Sequence, residues 1–360
     1  MANRSDNIAF VGPEPPPYGG VGVMNQSFQE IISQEWNVIS FSTASGRLSE
    51  DLYRRKGFKN FVHFAKNIFG LITFLSKNKF KIVNVFVTSN IAFVRDSVII
   101  FILWLCRKEI IIHFHSKKKG EFFLGNFTIR YVAGIFRFAK KIIVLSDDHF
   151  DYFARYFDKK KMVVIENFVD YDLYDCKIEN KNSEYLFVSR LSEKKGIFDL
   201  IEATKIIKKK GLHLKINVLG TAENDEVKNT IDDFLKKYEL EENIILHGNV
   251  YGNKKYEFFK SCSIFIFPSH FENSPVVIKE AIAAKMAIIC SDIEANKIIL
   301  NDKGNTEFFT TNDPMDLANK IEDILIHPCS IDDLMRRSAA SKIYDKRYAA
   351  EKMKKVLFSL

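Results

Sequence analysis

The chain has 360 residues, 47% of them apolar, with 33 phenylalanines and a formal net charge of +8, a length natural for two domains that each bury a core. Its five cysteines (Cys106, Cys176, Cys262, Cys290 and Cys329) are odd in number and scattered, with no C-x-x-C pair, which argues for a reduced cytosolic protein and against a zinc site. The N-terminus reaches only the four-residue apolar run IAFV before Gly12, so no signal peptide is expected.

Charge is uneven. Residues 1–165 hold 24 Lys and Arg against 13 Asp and Glu, a net of +11, whereas residues 166–360 hold 29 against 32, a net of −3. The basic half can face anionic lipid or a phosphorylated substrate, or be a solvated surface with no partner. No nucleic-acid-binding motif accompanies the charge, so nucleic acid is not expected as a partner.

In chain order, Asn7–Val11 reads as a first strand, followed by the loop PEPPPYGGVG and a helix opening near Val21. Gly19, Gly20 and Gly22 let backbone amides approach a ligand at the carboxyl end of that strand. The dinucleotide fingerprint is not satisfied, because Asn25 stands where its third small residue belongs. Strand-like runs recur at 37–41, 82–87, 109–115, 142–145 and 162–165, alternating with helical stretches such as 62–75 and 93–107, the pattern of a parallel sheet covered on both faces. The run SVIIFILWLC is too short to span a bilayer and reads as a buried helix.

Between Leu52 and Lys81 basic residues interleave with aromatics, from Tyr53, Arg54, Arg55 and Lys56 on to Phe69, Phe74 and Lys77, a composition suited either to an anionic membrane surface or to a core. His113 and His115 share one face of the strand EIIIHFH at the edge where open α/β sheets bind ligands. Ser146 with Asp147 and Asp148 reads as a helix N-cap rather than a metal site.

The acidic run 170–183 has no clear period and reads as a linker. Strands follow at 185–188, 214–219, 244–247, 263–268 and 287–291, again separated by helical sequence. In SRLSEKKG, Arg190 and Lys195 flank a tight turn into a helix, two cations that would neutralise a pyrophosphate. In FENSPVVIKEAIAA, Glu272 lies in the turn before a helix and Glu280 about two turns inside, with Pro275 suited to the first helical turn. The amides of Asn273 and Ser274 make an anion site beside carboxylates suited to sugar hydroxyls. An acid–base pair is the alternative role for the two glutamates.

Taken together, GGVG at 19–22, HFH at 113–115, NFVD at 167–170, SRLSEKKG at 189–196, LHGNV at 246–250 and the Glu272/Glu280 pair resemble, in order, the family-4 retaining glycosyltransferases of the GT-B fold, among them bacterial surface-polysaccharide enzymes. The resemblance covers nearly the whole chain. It implies an α/β fold of two doubly wound parallel-sheet domains facing a cleft: an acceptor-binding domain over 1–168, a linker over 169–183, a nucleotide-sugar domain over 184–345, and a helix over 346–360 crossing back to the first domain. It implies that Arg190 and Lys195 hold the diphosphate, that Glu280 holds the ribose, and that Glu272 with Asn273 and Ser274 holds the sugar and distal phosphate. Gly220, Asn249 and Val250 would lie by the base, His115 near the transferred sugar, and Gly19, Gly20 and Gly22 beneath the diphosphate.

The implied reaction is same-face attack by an acceptor hydroxyl of a glycan or lipid-linked acceptor, with the leaving phosphate taking the proton. The two glutamates then act as positioners rather than as an acid–base pair. No metal or other cofactor is expected. The substrate would be a nucleotide-diphosphate sugar, UDP favoured over GDP, and the enzyme a hexosyltransferase in polysaccharide or lipopolysaccharide synthesis. It would be cytoplasmic and peripheral on the inner face of the membrane, which it contacts through its basic domain. The chain departs from the family at Ala284-Lys285-Met286-Ala287 and Glu294-Ala295, where glycines are usual. The competing readings are a non-catalytic sugar-nucleotide or membrane-binding module, an epimerase of the same architecture, and a phosphorylase.

Overall fold

The computed structural model describes residues 7–16, 19–44, 58–88, 91–115, 125–300 and 306–360. Tyr53–Lys56 of the basic–aromatic stretch therefore lie outside the described residues. Two compact units result, one of residues 1–167 with 346–360 and the other of residues 168–345.

The first unit is a six-stranded parallel sheet in the order β2-β1-β3-β4-β5-β6, built from β1 (Asn7–Gly12), β2 (Asn37–Ser42), β3 (Ile82–Val87), β4 (Glu109–Phe114), β5 (Lys141–Val144) and β6 (Met162–Val164). β3 is buried at all six positions and β2, at the edge, at none, as expected of inner and outer strands of a covered parallel sheet. One face carries Ala9, Val11, Val83, Val85, Ile110, Ile112 and Phe114 against the helices Phe58–Lys77, Ile91–Leu105 and Gly125–Phe136. The helices Gly20–Ile32 and Lys346–Phe358 pack against each other, with Lys354 paired to Glu35 and Phe358 against Trp36. The terminal helix thus belongs to the first unit.

The second unit repeats the theme in the order β12-β11-β10-β7-β8-β9, with β7 (Asn182–Val188), β8 (Ile216–Leu219), β9 (Ile244–Leu246), β10 (Cys262–Phe267), β11 (Ala287–Ser291) and β12 (Thr306–Phe309), all parallel. The segment expected to be a linker is built into this unit instead. Val169 N–H donates to Tyr344 O at 2.9 Å, Tyr171 Oη to Ser341 O at 2.8 Å, and both Tyr171 and Tyr174 are buried. The cause is side-chain burial from a four-residue helical turn, Tyr171–Tyr174, too short to show a period.

The structure also corrects the reading of SVIIFILWLC as a buried helix. Ile99, Ile100 and Leu103 face the core, but Phe101, Trp104 and Leu105 are exposed. Pro275 is the N-cap of its helix rather than a first-turn residue. Ser146 caps as expected, its Oγ accepting from His149 N–H at 3.1 Å.

His113 is core. Its ring stacks on Phe86 at 4.0 Å and meets the edge of Phe28 at 4.6 Å, and neither ring nitrogen has a hydrogen-bond partner. Burial, reinforced by the neighbouring His115, holds its pKa well below the usual histidine value. His115, also buried, is lowered to about 3 by burial and then by the nearby His149. Both rings stay neutral in the folded chain, while the unfolded chain protonates them near pH 6.5. Their contribution is therefore fully present above that pH and is lost as pH falls from there towards the folded values. Urea unfolding at pH 7 and pH 5 should show a loss of stability of which His115 accounts for about 2 kcal/mol, and His115→Gln should remove that share.

Candidate functional site

In the second sheet β7 lies between β10 and β8, so the chain reverses its direction of sheet growth between β7 and β10. Open α/β sheets bind ligands outside the carboxyl ends of the strands at such a point. The loops that leave those two strands carry Arg190 and Lys195 on one side and Glu272, Asn273 and Ser274 on the other.

Backbone packing brings the loops together. Gly196 has φ +73°, and a Cβ there would lie 2.0 Å from the carbonyl oxygen of Pro268. His270 N–H donates to Lys194 O at 3.0 Å, and the His270 ring meets Asp199 at 2.6 Å. In this frame Lys195 Nζ lies 2.5 Å from Glu272 Oε1, which also accepts from the buried Ser269 hydroxyl at 2.9 Å. Arg190 is exposed at the mouth of the same loop.

Gly220 has φ +144°, and a Cβ there would lie 1.7 Å from Ser189 O. That close approach zips the ends of β7, β8 and β9: Leu191 N–H donates to Thr221 O at 2.9 Å, and Gly220 N–H to Gly248 O at 2.7 Å. Asn249 follows, its side-chain oxygen 3.4 Å from the Thr221 hydroxyl, and Val250 packs partly buried against the core.

Glu280 sits in the helix Val276–Ala283 at 6% exposure. Its Oε1 accepts from Tyr174 Oη at 2.6 Å and from Lys255 Nζ at 2.7 Å, while Oε2 is buried with no partner among the described residues. Burial, together with proximity to Glu280, drives the Tyr174 hydroxyl pKa well above its usual value, so the phenol remains a donor. The result is a buried carboxylate with one oxygen saturated and the other unpaired among the described residues. Neighbouring Lys279 is also buried, donating to Ser274 Oγ at 3.0 Å and lying 4.4 Å over the Tyr344 ring. Tyr174, Lys255 and Lys279 are absent from the sequence reading. Only Lys279 carries a local signal, as a lone cation in an otherwise apolar stretch of helix.

Lys285 takes a left-handed φ of 56°, and its ammonium meets Asp175 at 2.7 Å and Cys176 O at 2.9 Å. The hydrogen bond from Lys285 holds the Asp175 carboxyl below the usual carboxylate range.

In the first unit, Gly19 is the N-cap of the helix Gly20–Ile32, and Cβ atoms at Gly19 or Gly20 would meet nothing within 4 Å, leaving open space at that loop. Gly22 lies against Pro13 and Pro15. Asn25, the residue that breaks the dinucleotide fingerprint, donates to Pro13 O at 2.9 Å and ties the loop to the helix. His115 directly follows β4. Among the described residues no group of three His, Cys, Asp or Glu is placed to hold a metal ion.

Two doubly wound six-stranded units, each with its ligand edge at the strand ends, form the GT-B architecture. Residues 175–342, almost the whole of the second unit, match the family model described as Glycosyl transferases group 1. The chain is 31% identical over 155 residues to the capsular polysaccharide biosynthesis glycosyltransferase CapM of Staphylococcus aureus, a span of 41% of this chain and 38% of that protein. It is 30% identical over 137 residues to the N-acetylgalactosamine-N,N'-diacetylbacillosaminyl-diphospho-undecaprenol 4-alpha-N-acetylgalactosaminyltransferase of Campylobacter jejuni, covering 37% of this chain and 35% of that one. The chain thus spans between a third and two-fifths of the length of these curated relatives. Its fold is that of Anabaena HepE in complex with UDP-glucose, with a TM-score of 0.76, 17% identity, and 99% and 100% of the two chains covered.

The close approach at Gly196 is testable against Gly211, which has a similar φ of +75° but nothing within 4 Å of the position a Cβ would take. Gly211→Ala should cost about 1–2 kcal/mol from backbone strain alone, and Gly196→Ala more than that, read by urea unfolding.

Proposed function

We propose that the chain is a retaining family-4 glycosyltransferase. It moves a hexose from a nucleotide-diphosphate sugar, UDP-linked rather than GDP-linked, to a hydroxyl of a glycan or lipid-linked acceptor in cell-surface polysaccharide synthesis. The observation that carries this reading is the meeting of Lys195 with Glu272 at the switch point, on the loop that leads into the helix holding the buried carboxylate of Glu280. The group 1 match over the second unit and the glycan-building relatives support it.

In this reading the second unit is the donor domain and residues 1–168 are the acceptor domain. Arg190 and Lys195 face the diphosphate and stabilise the charge that develops as the nucleotide leaves, a preorganised electrostatic contribution. Glu280 holds the ribose, Glu272 and the amides of Asn273 and Ser274 hold the sugar and distal phosphate, and Gly220, Asn249 and Val250 border the base. The open loop at Gly19, Gly20 and Gly22 admits the diphosphate, and His115 borders the transferred sugar. The low pKa of His115 makes it a neutral hydrogen-bonding group there, so it contributes no cation. The leaving phosphate accepts the proton of the attacking hydroxyl, and the protein works in the cytoplasm.

Thermal shift with a panel of UDP- and GDP-sugars tests donor binding, since a ligand that binds only the folded chain raises its stability. A UDP-sugar should give the largest shift, and no shift with any of them sinks the reading. Lys195→Ala should lower kcat by about 10²–10³-fold, and near-normal turnover would remove Lys195 from the chemistry. A donor lacking the ribose hydroxyls should bind the wild type about 10–100-fold more weakly by calorimetry and show little discrimination in Glu280→Ala. Proton NMR of the product should show the donor's anomeric configuration; an inverted product refutes retention.

A further inference from the structure

The three helices over one face of the first sheet carry an outer surface that the described residues leave exposed. The middle one, Ile91–Leu105, has only two charges, and both turn away from solvent. Asp96 Oδ2 accepts from Thr88 N–H at 2.7 Å, while Arg95 pairs with Asp96 at 2.8 Å and donates to Thr43 O at 3.1 Å. What remains outward is apolar: Val94, Phe101, Trp104 at 44% exposure and Leu105 at 59%. On the preceding helix, Phe69 is 74% exposed. Phe101, Trp104 and Phe138 form one ring cluster with centroids 4.7–5.8 Å apart, a preformed aromatic ridge rather than scattered side chains.

Among the described residues, the exposed charges on these helices and their connections are basic. Lys66, Lys77, Arg107, Arg130, Arg137 and Lys140 are all exposed. Over the described residues 58–88, 91–115 and 125–146 the acids are Asp96 and Glu109, paired with Arg95 and Lys81. A helix apolar on every side is normally buried or in contact with lipid.

We propose that this face docks on an anionic lipid bilayer, with the aromatic ridge at the headgroup–acyl boundary and the basic side chains among the headgroups. Fifteen residues make a helix about 22 Å long, short of the ~30 Å hydrocarbon core, so it lies along the surface. Among the described residues no helix is long and apolar enough to cross a membrane. A second copy of the chain fits poorly, because two such faces would bring like charges together. A lipid surface supplies both apolar contact and negative charge. The inference does not depend on the transferase reading, because vesicle binding is measured without donor or turnover.

The test is co-sedimentation of the full chain with phosphatidylcholine vesicles, with and without phosphatidylglycerol, at low and high salt. Binding should require the anionic lipid and weaken with salt, and a Lys66→Glu/Arg137→Glu variant should bind about 10-fold or more weakly. The chain has two tryptophans, and Trp36 is buried, so acyl-chain-brominated lipid should quench Trp104 and lose that quenching in Trp104→Phe. Phe101→Ser should weaken binding with little change in thermal midpoint, its ring being partly exposed. Absence of binding at low salt, binding that leaves Trp104 unquenched, or a concentration-dependent dimer abolished by Trp104→Ser would each overturn the proposal.

Discussion

At the switch point of the second sheet the backbone at Gly196 passes against the carbonyl of Pro268 with no room for a side chain, and the geometry of the candidate donor site follows from that approach. It sets Lys194 O where His270 N–H can reach it and carries Lys195 to Glu272. The ion pair is a consequence of this packing rather than its cause. A partly exposed lysine–glutamate contact contributes ~0–1 kcal/mol once screening and side-chain entropy are counted. A buried backbone contact between the loops that leave two paired core strands, β7 and β10, is the stiffer element. The loop therefore presents its cations in a fixed place before any ligand arrives, which electrostatic catalysis requires.

Glu280 shows the opposite economy. Burying a carboxylate is expensive unless it is paired and hydrogen-bonded. Lys255 and Tyr174 offset that cost at Oε1, yet Oε2 is left without a partner, an arrangement that stability alone does not favour. A position that sacrifices local satisfaction is where binding chemistry is concentrated. The two carboxylates consequently have separate environments, Glu272 with a cation and a hydroxyl at a loop and Glu280 inside a helix, in keeping with two positioning roles.

The inner strands were legible because a parallel strand covered on both faces is a continuous apolar run; β3 matches its expected bounds at both ends. β12 was not read, since TEFF is four residues with one fully buried. Site residues defined by spacing within one segment, Arg190 with Lys195 and Glu272 with Glu280, stand out in the sequence. Tyr174 does not, because it reaches Glu280 across 106 residues from a turn with no periodicity. Nor does any local pattern distinguish Lys255, which pairs with Glu280, from its neighbour Lys254. The helix Ile91–Leu105 misled for a related reason: composition alone cannot separate a helix covered on all sides from one whose outer face is left open.

Net charge is equally poor at locating the phosphate site. Residues 166–360 carry a net −3, so this half as a whole does not attract an anionic nucleotide, and at physiological salt fields from distant groups fade within about 8 Å. The cations of the candidate site, Arg190 and Lys195, belong to the single loop that follows β7 and not to a basic half of the chain. The +11 of residues 1–165 belongs to the other unit, and among its described residues the exposed Lys66, Lys77, Arg107, Arg130, Arg137 and Lys140 accompany exposed apolar side chains. The two halves thus carry positive charge differently: the second brings a lysine paired with Glu272 and an exposed arginine onto one loop, and the described part of the first spreads lysines and arginines over exposed helix surface.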